Sequence, residues 1–265
     1  AATGSKIGAP FVMSDDPYTQ ARPTLAVART APQPVVLAAW EDYRTEIPGI
    51  YAQRLDANAL KVGLPIGLTP LDGLQARPVI AYSATADRYL AAWHQVDSGG
   101  SRIMAYSVRG DGALAWRPFT VTVGLQTPDL ALDVAWDALN DRFLIVWSDI
   151  APATVDDFNI YGQIVTLDGD LVGDKFAISS APGQQHAPVV AFSPELERYL
   201  VVFEGVDSFY QMTNLYGQLV ATDGAPLLTD VNTNFLITMP GASLLRPALP
   251  ASGRCQASLA SFAKL

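Results

Sequence analysis

The sequence predicts an all-β protein made of repeated four-stranded antiparallel units, and three observations support this. A short apolar run that ends in a large apolar aromatic residue recurs about every 55 residues. The runs are rich in Val, Ile, Tyr, Phe and Trp, and apolar residues at helical spacing are absent. Asp-Gly dipeptides recur at the same place in successive units. The four clear copies of the run are "VVLAAW" ending at Trp40, "RYLAAW" ending at Trp93, "RFLIVW" ending at Trp147 and "RYLVVF" ending at Phe203.

Each unit contains three further short strands around this run. A first strand precedes it: "RPTLAVA" from Arg22, "RPVIAYS" from Arg77, "DLALDVAW" from Asp129 and "APVVAFS" from Ala187. A third strand follows it, namely "IYAQRL", "IMAYSV", "NIYGQIV" or "NLYGQLV", and then a fourth segment such as "KFAISS". The alternation of β-forming runs and short connections predicts four antiparallel strands per unit.

The connections between these strands have the composition of tight turns. Asp111-Gly112, Asp168-Gly169 and Asp223-Gly224 lie between the third and fourth strands, where Asp-Gly supplies the positive φ that a tight hairpin needs. The first and second strands are joined by "SATADR", "DALNDR" and "SPELER", whose lengths are nearly constant. Two of the four connections in each unit are therefore predicted to be short and regular.

Four antiparallel strands repeated four to five times resemble the blades of a β-propeller, and the repeat covers essentially the whole chain. The resemblance is to propellers in general, because the dipeptides and boxes that mark the WD40, kelch and sialidase types are missing. It implies one domain over residues 1–265, with five blades and with the first strand of each blade lining a central channel. The aromatic ends of the second strands are predicted to pack between blades.

The two ends of the chain supply an incomplete fifth unit. "SKIGAPFVMSD" from Ser5 matches a fourth strand, whereas the C-terminal region offers a first strand, "RPALPAS" from Arg246, and a weaker second strand, "RCQASL". The N-terminal segment, residues 5–13, is therefore predicted to complete the last blade. Closure of the ring in this way would remove the exposed sheet edges of an open array.

Composition excludes several classes of function. The chain of 265 residues has a formal net charge of -9 and no basic run, which argues against general binding to nucleic acid. No apolar stretch approaches the roughly 20 residues that span a bilayer, so insertion into a membrane is not expected. Cys255 is the only cysteine, which excludes an internal disulfide and metal sites built on thiolates. No cofactor is predicted.

The beginning of the chain favours one location over others. It starts Ala1-Ala2-Thr3 without methionine, as expected of a mature protein after signal cleavage or of a fragment. We therefore expect a secreted or cell-surface protein, which would allow the chain to be part of a larger surface protein.

The remaining connections, second-to-third and fourth-to-first, vary in length and sequence and all emerge on one face of the predicted propeller. Variable loops on a fixed scaffold commonly carry function. A cation or a basic partner would suit their charges, but solvated loop charge is the favoured interpretation, and no Ca²⁺-binding loop pattern is present. The acidic and titratable residues of this face are Glu41, Asp42, Glu46, His94, Asp97, Asp149, Asp156, Asp157, Glu204 and Asp207.

A ring of polar residues near the channel mouth is a sharper pattern. Gln20, Gln75 and Gln185 stand at matching places before the first strands, with Asp129 at the same place in the third unit. Their side chains suit hydrogen bonds to a sugar or peptide, or to the backbone of their own loops. Asp133 replaces valine on an innermost strand, where it faces channel water or marks a site. The predicted ligand-binding residues are Gln20, Gln75, Asp129, Asp133 and Gln185.

Two classes of function fit these residues. One is a non-catalytic binding or interaction module, lectin-like, with a carbohydrate or protein ligand. The alternative is a glycoside hydrolase, since five-bladed propellers include arabinanases and fructosidases whose carboxylates converge in the central funnel. Asp129 and Asp133 are then the candidates, but on a straight strand their Cα atoms would lie about 13 Å apart, too far for either hydrolytic geometry. The sequence thus favours the binding module, without catalytic residues.

Overall fold

The computed structural model describes residues 9–28, 35–69, 73–115, 117–126, 131–150, 157–206, 213–227 and 234–237. These residues form sixteen strands in four antiparallel sheets of four strands each, and they contain no helix. No segment among them is therefore a helix that could cross a membrane. The all-β class and the four-stranded unit are both confirmed.

Each sheet is one blade, and its strands follow one another in chain order. Blade 1 contains β1 (Gln20–Ala28), β2 (Val35–Asp42), β3 (Gly49–Leu55) and β4 (Lys61–Gly67). Blade 2 contains β5 (Leu74–Ser83), β6 (Arg88–Asp97), β7 (Gly100–Arg109) and β8 (Phe119–Val123). Blade 3 contains β9 (Leu132–Asp137), β10 (Arg142–Ile150), β11 (Phe158–Val165) and β12 (Leu171–Ser179). Blade 4 contains β13 (Gln185–Ser193), β14 (Arg198–Val206), β15 (Thr213–Ala221) and β16 (Phe235–Leu236).

The blades are arranged as in a propeller, with the first strands innermost. Strand β1 packs beside β5, β5 beside β9, and β9 beside β13. The apolar core lies between blades, where successive clusters join blade 1 to blade 2, blade 2 to blade 3 and blade 3 to blade 4. Trp93, Trp147 and Phe203 are completely buried in these clusters, which confirms that the aromatic ends of the second strands pack between blades.

One face of blade 1 is exposed, whereas the corresponding faces of the other three blades are covered by the preceding blade. Leu25 on β1 is 53% exposed, whereas the matching residues of the other first strands are packed against the preceding blade: Ile80 at 4%, Val134 at 7% and Val190 at 6%. In a closed ring this face of blade 1 meets the last blade. The architecture is accordingly that of a five-bladed propeller with four blades among the described residues.

The segments predicted to build the fifth blade lie largely outside the described part of the chain. This applies to residues 5–8, to "RPALPAS" from Arg246 and to "RCQASL". Residues 9–13, the described part of the predicted closing segment, form no strand. Asp16 and Asp15 nevertheless tie the N-terminal segment to blade 1, through ion pairs to Arg44 at 3.4 Å and to Lys61 at 3.1 Å.

The Asp-Gly turns join the third and fourth strands as predicted, but through a longer turn than the two-residue type. Gly112, Gly169 and Gly224 have φ of 89°, 96° and 93°, whereas the aspartate before each has negative φ. In blade 2 the N–H of Gly112 donates to the carbonyl of Arg109 at 2.8 Å, and the N–H of Arg109 donates to the carbonyl of Ala113 at 2.8 Å. This is the three-residue hairpin with glycine in the left-handed position.

These three glycines also touch the preceding blade. A Cβ at Gly112 would meet Arg54 on β3 at 2.7 Å, and one at Gly169 would meet Phe119 on β8 at 3.0 Å. At Gly224 it would meet Phe176 on β12 at 2.6 Å. Glycine is thus required at these turns both by the backbone angle and by the close approach of a neighbouring side chain.

Candidate functional site

A cavity of about 360 Å³ opens at the axial end of the described blades. It is walled by the opening residues of the innermost strands, which form three layers. The outer layer consists of Arg22, Arg77, Ala131 and Ala187. The next layer consists of Pro23, Pro78, Leu132 and Pro188, and the inner layer consists of Thr24, Val79 and Val189. Because the first strands start at the end that carries the second-to-third and fourth-to-first loops, the cavity lies on the predicted functional face.

A β-bulge shapes this mouth in three blades. The register of the first strand against the second shifts between Ala21 and Thr24 in blade 1, and at the matching places in blades 2 and 4. Arg22, Arg77 and Ala187 occupy the bulge with left-handed φ of 48°, 57° and 49°. Each precedes a proline, which has no N–H to donate to the sheet and marks a bulge when it falls inside a strand. The repeated Arg-Pro and Ala-Pro dipeptides were the sequence signal for this feature.

Glu41, at the end of β2, joins blades 1 and 2 beside the cavity. Its completely buried carboxylate accepts hydrogen bonds from Arg22 Nη1 at 3.0 and 2.9 Å and from the Tyr43 hydroxyl at 3.0 Å. It also accepts the backbone N–H of Arg77 at 2.6 Å. The interpretation of this acid as solvated loop charge is therefore wrong.

The neighbouring Asp42 is also buried. It accepts hydrogen bonds from Trp40 Nε1 at 2.9 Å and from Arg44 Nε and Nη2 at 2.8 and 2.7 Å. Burial acts to raise the pKa of Asp42, but the hydrogen bonds from Arg44 and Trp40 outweigh it and leave the pKa below its usual value. The Arg44 guanidinium in turn lies 3.9 Å from the centre of the Tyr51 ring.

Of the other residues on the acidic face, some are buried and others are exposed or paired at the surface. His94 and Asp149 are buried, with His94 Nε2 2.7 Å from Ser101 Oγ and Asp149 accepting the backbone N–H of Gln126 at 2.9 Å. Asp97 pairs with Arg102 at 2.6 Å, and Glu46 is exposed. Asp156 and Asp207 lie outside the described residues. In the described part of the chain, no three His, Cys, Asp or Glu side chains are placed to hold a metal ion.

The glutamines of the predicted ring lie where the first strands begin. The Gln20 amide donates to the carbonyl of Tyr18 at 2.6 Å and to that of Asp16 at 3.4 Å. The Gln185 amide donates to the carbonyl of Ala181, while its buried Oε1 has no hydrogen-bond partner among the described residues. Gln75 is completely buried opposite Gln95. The contacts of Gln20 and Gln185 are those of residues that cap the preceding loop, and ligand binding by the ring stays a prediction.

Asp133 holds in blade 3 the position of Thr24, Val79 and Val189, beside Leu132, which lines the cavity. Each of these residues pairs with the residue before the aromatic end of its second strand. The Asp133 side chain turns toward blade 4, where its Oδ2 accepts the backbone N–H of Val190 at 2.8 Å. Burial raises the pKa of Asp133 to about 6, against the opposing hydrogen bonds from the Val190 and Val134 N–H groups.

Asp129, the other predicted acid of blade 3, lies outside the described residues. Strand β9 begins at Leu132, and Ala131 before it is not part of a strand. The expected separation of about 13 Å between Asp129 and Asp133 assumed a straight strand. That estimate therefore does not hold as an objection to a carboxylate pair.

No family model and no curated protein matches the sequence. Solved structures do share its fold. A Hadza microbial sialidase matches with a TM-score of 0.57 at 8% identity, over 82% of this chain and 46% of that one. The GH93 α-L-arabinofuranosidase of Fusarium graminearum, in complex with arabinobiose, matches with a TM-score of 0.52 at 14% identity, over 79% and 69%.

A third match is the catalytic domain of the GH62 α-L-arabinofuranosidase of Coprinopsis cinerea, with a TM-score of 0.47 at 14% identity, over 76% of this chain. This chain spans 65% of that domain and 46% of the sialidase chain. At such identities the likeness shows the β-propeller fold and no particular subfamily.

The comparisons correct the functional prediction. The sialidase and the Fusarium arabinofuranosidase are glycoside hydrolases, which favours the hydrolase alternative over the non-catalytic, lectin-like module. The same finding contradicts the expectation that the chain is more likely not an enzyme. The arabinobiose in the Fusarium structure agrees with the predicted carbohydrate ligand. A protein ligand and a secreted or cell-surface location stay predictions.

Proposed function

We propose that this chain is a glycoside hydrolase that binds its sugar in the axial cavity and uses Asp133 as its general acid. The observation that carries the proposal is the half-buried carboxyl group of Asp133 on an innermost strand, next to Leu132 of the cavity wall and at the position that lines the cavity in the other blades. The activities named for the sialidase and the Fusarium arabinofuranosidase, which share the fold, support the same class of reaction.

The pKa of Asp133 suits this role. A general acid must hold its proton before it protonates the leaving oxygen of the glycosidic bond. With a pKa of about 6, half of the Asp133 side chains are protonated at pH 6. An ordinary aspartate would be about 1% protonated at that pH. The hydrogen bond from the Val190 N–H to Oδ2 fixes the orientation of the carboxyl group.

Glycoside hydrolysis needs a second carboxylate, as base or nucleophile, and we propose Asp129. It precedes Asp133 by four residues and matches the position of Gln20, Gln75 and Gln185 at the channel mouth. Glu41 is less suited to the chemistry, because its carboxylate already accepts hydrogen bonds from Arg22, Tyr43 and the Arg77 backbone. We assign Glu41 to the support of the cavity wall.

The proposal is tested by measuring turnover of arabinan, fructan and aryl glycosides, including arabinofuranosides and sialosides. For the wild type, kcat should fall as pH rises through about 6, because Asp133 loses its proton there. Asp133→Asn should lower kcat on unactivated substrates by about 100-fold or more. The loss should be much smaller on dinitrophenyl glycosides, whose leaving group departs without protonation.

Asp223→Asn is the matched control, since Asp223 is exposed in a hairpin turn at the opposite end of the blades. This variant should keep wild-type rates. Absence of turnover by the wild type across the panel would refute the hydrolase. Equal loss on activated and unactivated substrates would remove Asp133 from the role of general acid.

A further inference from the structure

The inner layer of the cavity holds a hydroxyl group among apolar side chains. We infer that Thr24 hydrogen-bonds a hydroxyl group of the bound sugar and so selects among sugars that differ at that carbon atom. The identity of the ligand as a sugar rests on the proposed function. The contact itself rests on the place of Thr24 in the cavity wall and on the hydrogen bonds that its side chain leaves unmade within the described part of the chain.

The backbone places Thr24 at the same depth of the channel as Asp133. Thr24 pairs with Ala39, and Asp133 pairs with Val146. Each of these partners immediately precedes the aromatic end of its second strand. Because the blades of a propeller repeat around one axis, residues at this register form one layer around the channel. A sugar that presents its glycosidic oxygen to Asp133 therefore reaches the layer that contains Thr24.

The rest of this wall is apolar. Val79 and Val189 hold the same register in blades 2 and 4 and line the cavity together with Thr24. The layer above them consists of three prolines and Leu132. Such walls suit the C–H faces of a sugar ring, but a sugar hydroxyl buried against them needs a polar partner. Among the described residues of these two layers, Thr24 is the one whose side chain supplies it.

The Thr24 hydroxyl is available for this contact. The side chain is half-buried, yet Oγ1 makes no hydrogen bond to another residue within the described ranges. Hydroxyls removed from solvent are commonly bonded to protein, to water or to a ligand. Valine has nearly the shape of threonine, and its presence at this register in blades 2 and 4 shows that the fold does not require the hydroxyl. Polar groups of the outer layer are already engaged, as Arg22 Nη1 donates to Glu41 at 3.0 and 2.9 Å.

Binding measures the contact without any need for turnover. Calorimetric titration of Asp133→Asn protein, in which the proposed hydrolysis is suppressed, would use methyl glycosides of arabinofuranose, fructofuranose, galactopyranose and N-acetylneuraminic acid. For the sugar that binds most tightly, Thr24→Val in the same background should weaken binding about 10-fold, as expected for the loss of one hydrogen bond. Thr24→Ser keeps the hydroxyl and should retain most of the affinity.

Monodeoxy analogues of that sugar identify the hydroxyl that Thr24 contacts. One analogue should bind the parent protein about 10-fold more weakly than the full sugar, and Thr24→Val should not weaken its binding further. The other analogues should still lose affinity in the Thr24→Val protein. Thr122→Val is the matched control, since Thr122 is a half-buried threonine on β8, the outermost strand of blade 2, and it should leave every affinity unchanged.

Each outcome supports or overturns the inference. Absence of binding by every sugar would overturn it, and so would unchanged affinity in the Thr24→Val protein. An equal effect of Thr24→Val on every deoxy analogue, or an equal loss in Thr24→Ser, would show that the hydroxyl makes no contact. Thr24→Val should keep the wild-type unfolding midpoint, because no described hydrogen bond is lost. Binding that depends on Thr24 without turnover by the wild type would support this inference and refute the hydrolase. Turnover with no dependence on Thr24 would do the reverse.

Discussion

Asp133 shows how one side chain can set the chemistry of a repeated scaffold. Its position is held by threonine or valine in the other described blades, so the fold itself does not require an acid there. Burial raises its pKa to about 6. The same shift makes the ionised carboxylate less favourable in the folded chain than in the unfolded one, where the pKa is about 3.9. A buried acid that lowers stability at neutral pH is a common cost of an active site.

This cost predicts a pH-dependent effect of Asp133→Asn. The stability that protonated Asp133 provides is complete below about pH 4 and is lost as pH rises through about 6. Relative to wild type, the variant should therefore gain about 2 kcal/mol in free energy of unfolding between pH 4 and pH 8. Urea unfolding at several pH values measures this difference. Val189→Asn, at the matching position of blade 4, should change stability by an amount independent of pH. A difference for Asp133→Asn that stays constant with pH would contradict the prediction.

At the scale of the element, the hairpins between third and fourth strands show what the blade requires of its turns. Blades 2, 3 and 4 place glycine at the left-handed position, whereas blade 1 has Ala59 there with φ of 62°. The N–H of Ala59 donates to the carbonyl of Asp56 at 3.0 Å, as the glycines do in their turns. A residue with a Cβ is strained by about 1–2 kcal/mol in this conformation.

Ala59→Gly should therefore stabilise the protein. Relief of the strain exceeds the entropy that glycine adds to the unfolded chain, and we expect a net gain of about 0.5–1 kcal/mol. Ala57→Gly is the matched control in the same turn, where φ is negative, and it should lower stability by a similar amount. Thermal and urea unfolding of the two variants measure both effects. A loss of stability in Ala59→Gly would show that the left-handed angle is not strained.

The elements of the fold were predictable because their signals are local. The apolar runs, the Asp-Gly pairs and the period lie within each unit, and the strands formed where these signals placed them. The wall of the cavity was harder to predict from the sequence, because its contacts join residues that are far apart in the chain. Glu41 reads in the sequence as a loop acid, and only the fold brings Arg22 and the Arg77 backbone to its carboxylate. The prediction of a non-catalytic module relied in part on a straight strand between Asp129 and Asp133, whereas Ala131 is not part of a strand.

At the scale of the whole molecule, stability depends on contacts between blades, because each blade buries its faces against its neighbours. The face of blade 1 around Leu25 is the exception among the described blades. A ring closed by a fifth blade would cover it, and this closure can be tested at one residue.

Leu25→Asp should lower the free energy of unfolding by about 2–4 kcal/mol, because the carboxylate would be buried between the first and last blades. Val134 holds the matching position in blade 3 and is 7% exposed, so Val134→Asp shows how much stability is lost when the carboxylate is covered by a neighbouring blade. Leu64 on β4 is 86% exposed, so Leu64→Asp shows the change in stability when the carboxylate remains in solvent. Urea unfolding compares the three variants. A Leu25→Asp protein as stable as Leu64→Asp would mean that no blade covers this face.

The contact between each Gly turn and the preceding blade has a consequence for how such a chain arises and grows. In blades 2, 3 and 4 the turn glycine receives a side chain of the preceding blade, as Gly169 receives Phe119 and Gly224 receives Phe176. This is a head-to-tail joint between successive blades. Duplication of the gene segment for one blade therefore adds both halves of a new joint at once. The number of blades is then set by the rotation at which the outward side chain of the last blade meets the turn of the first blade.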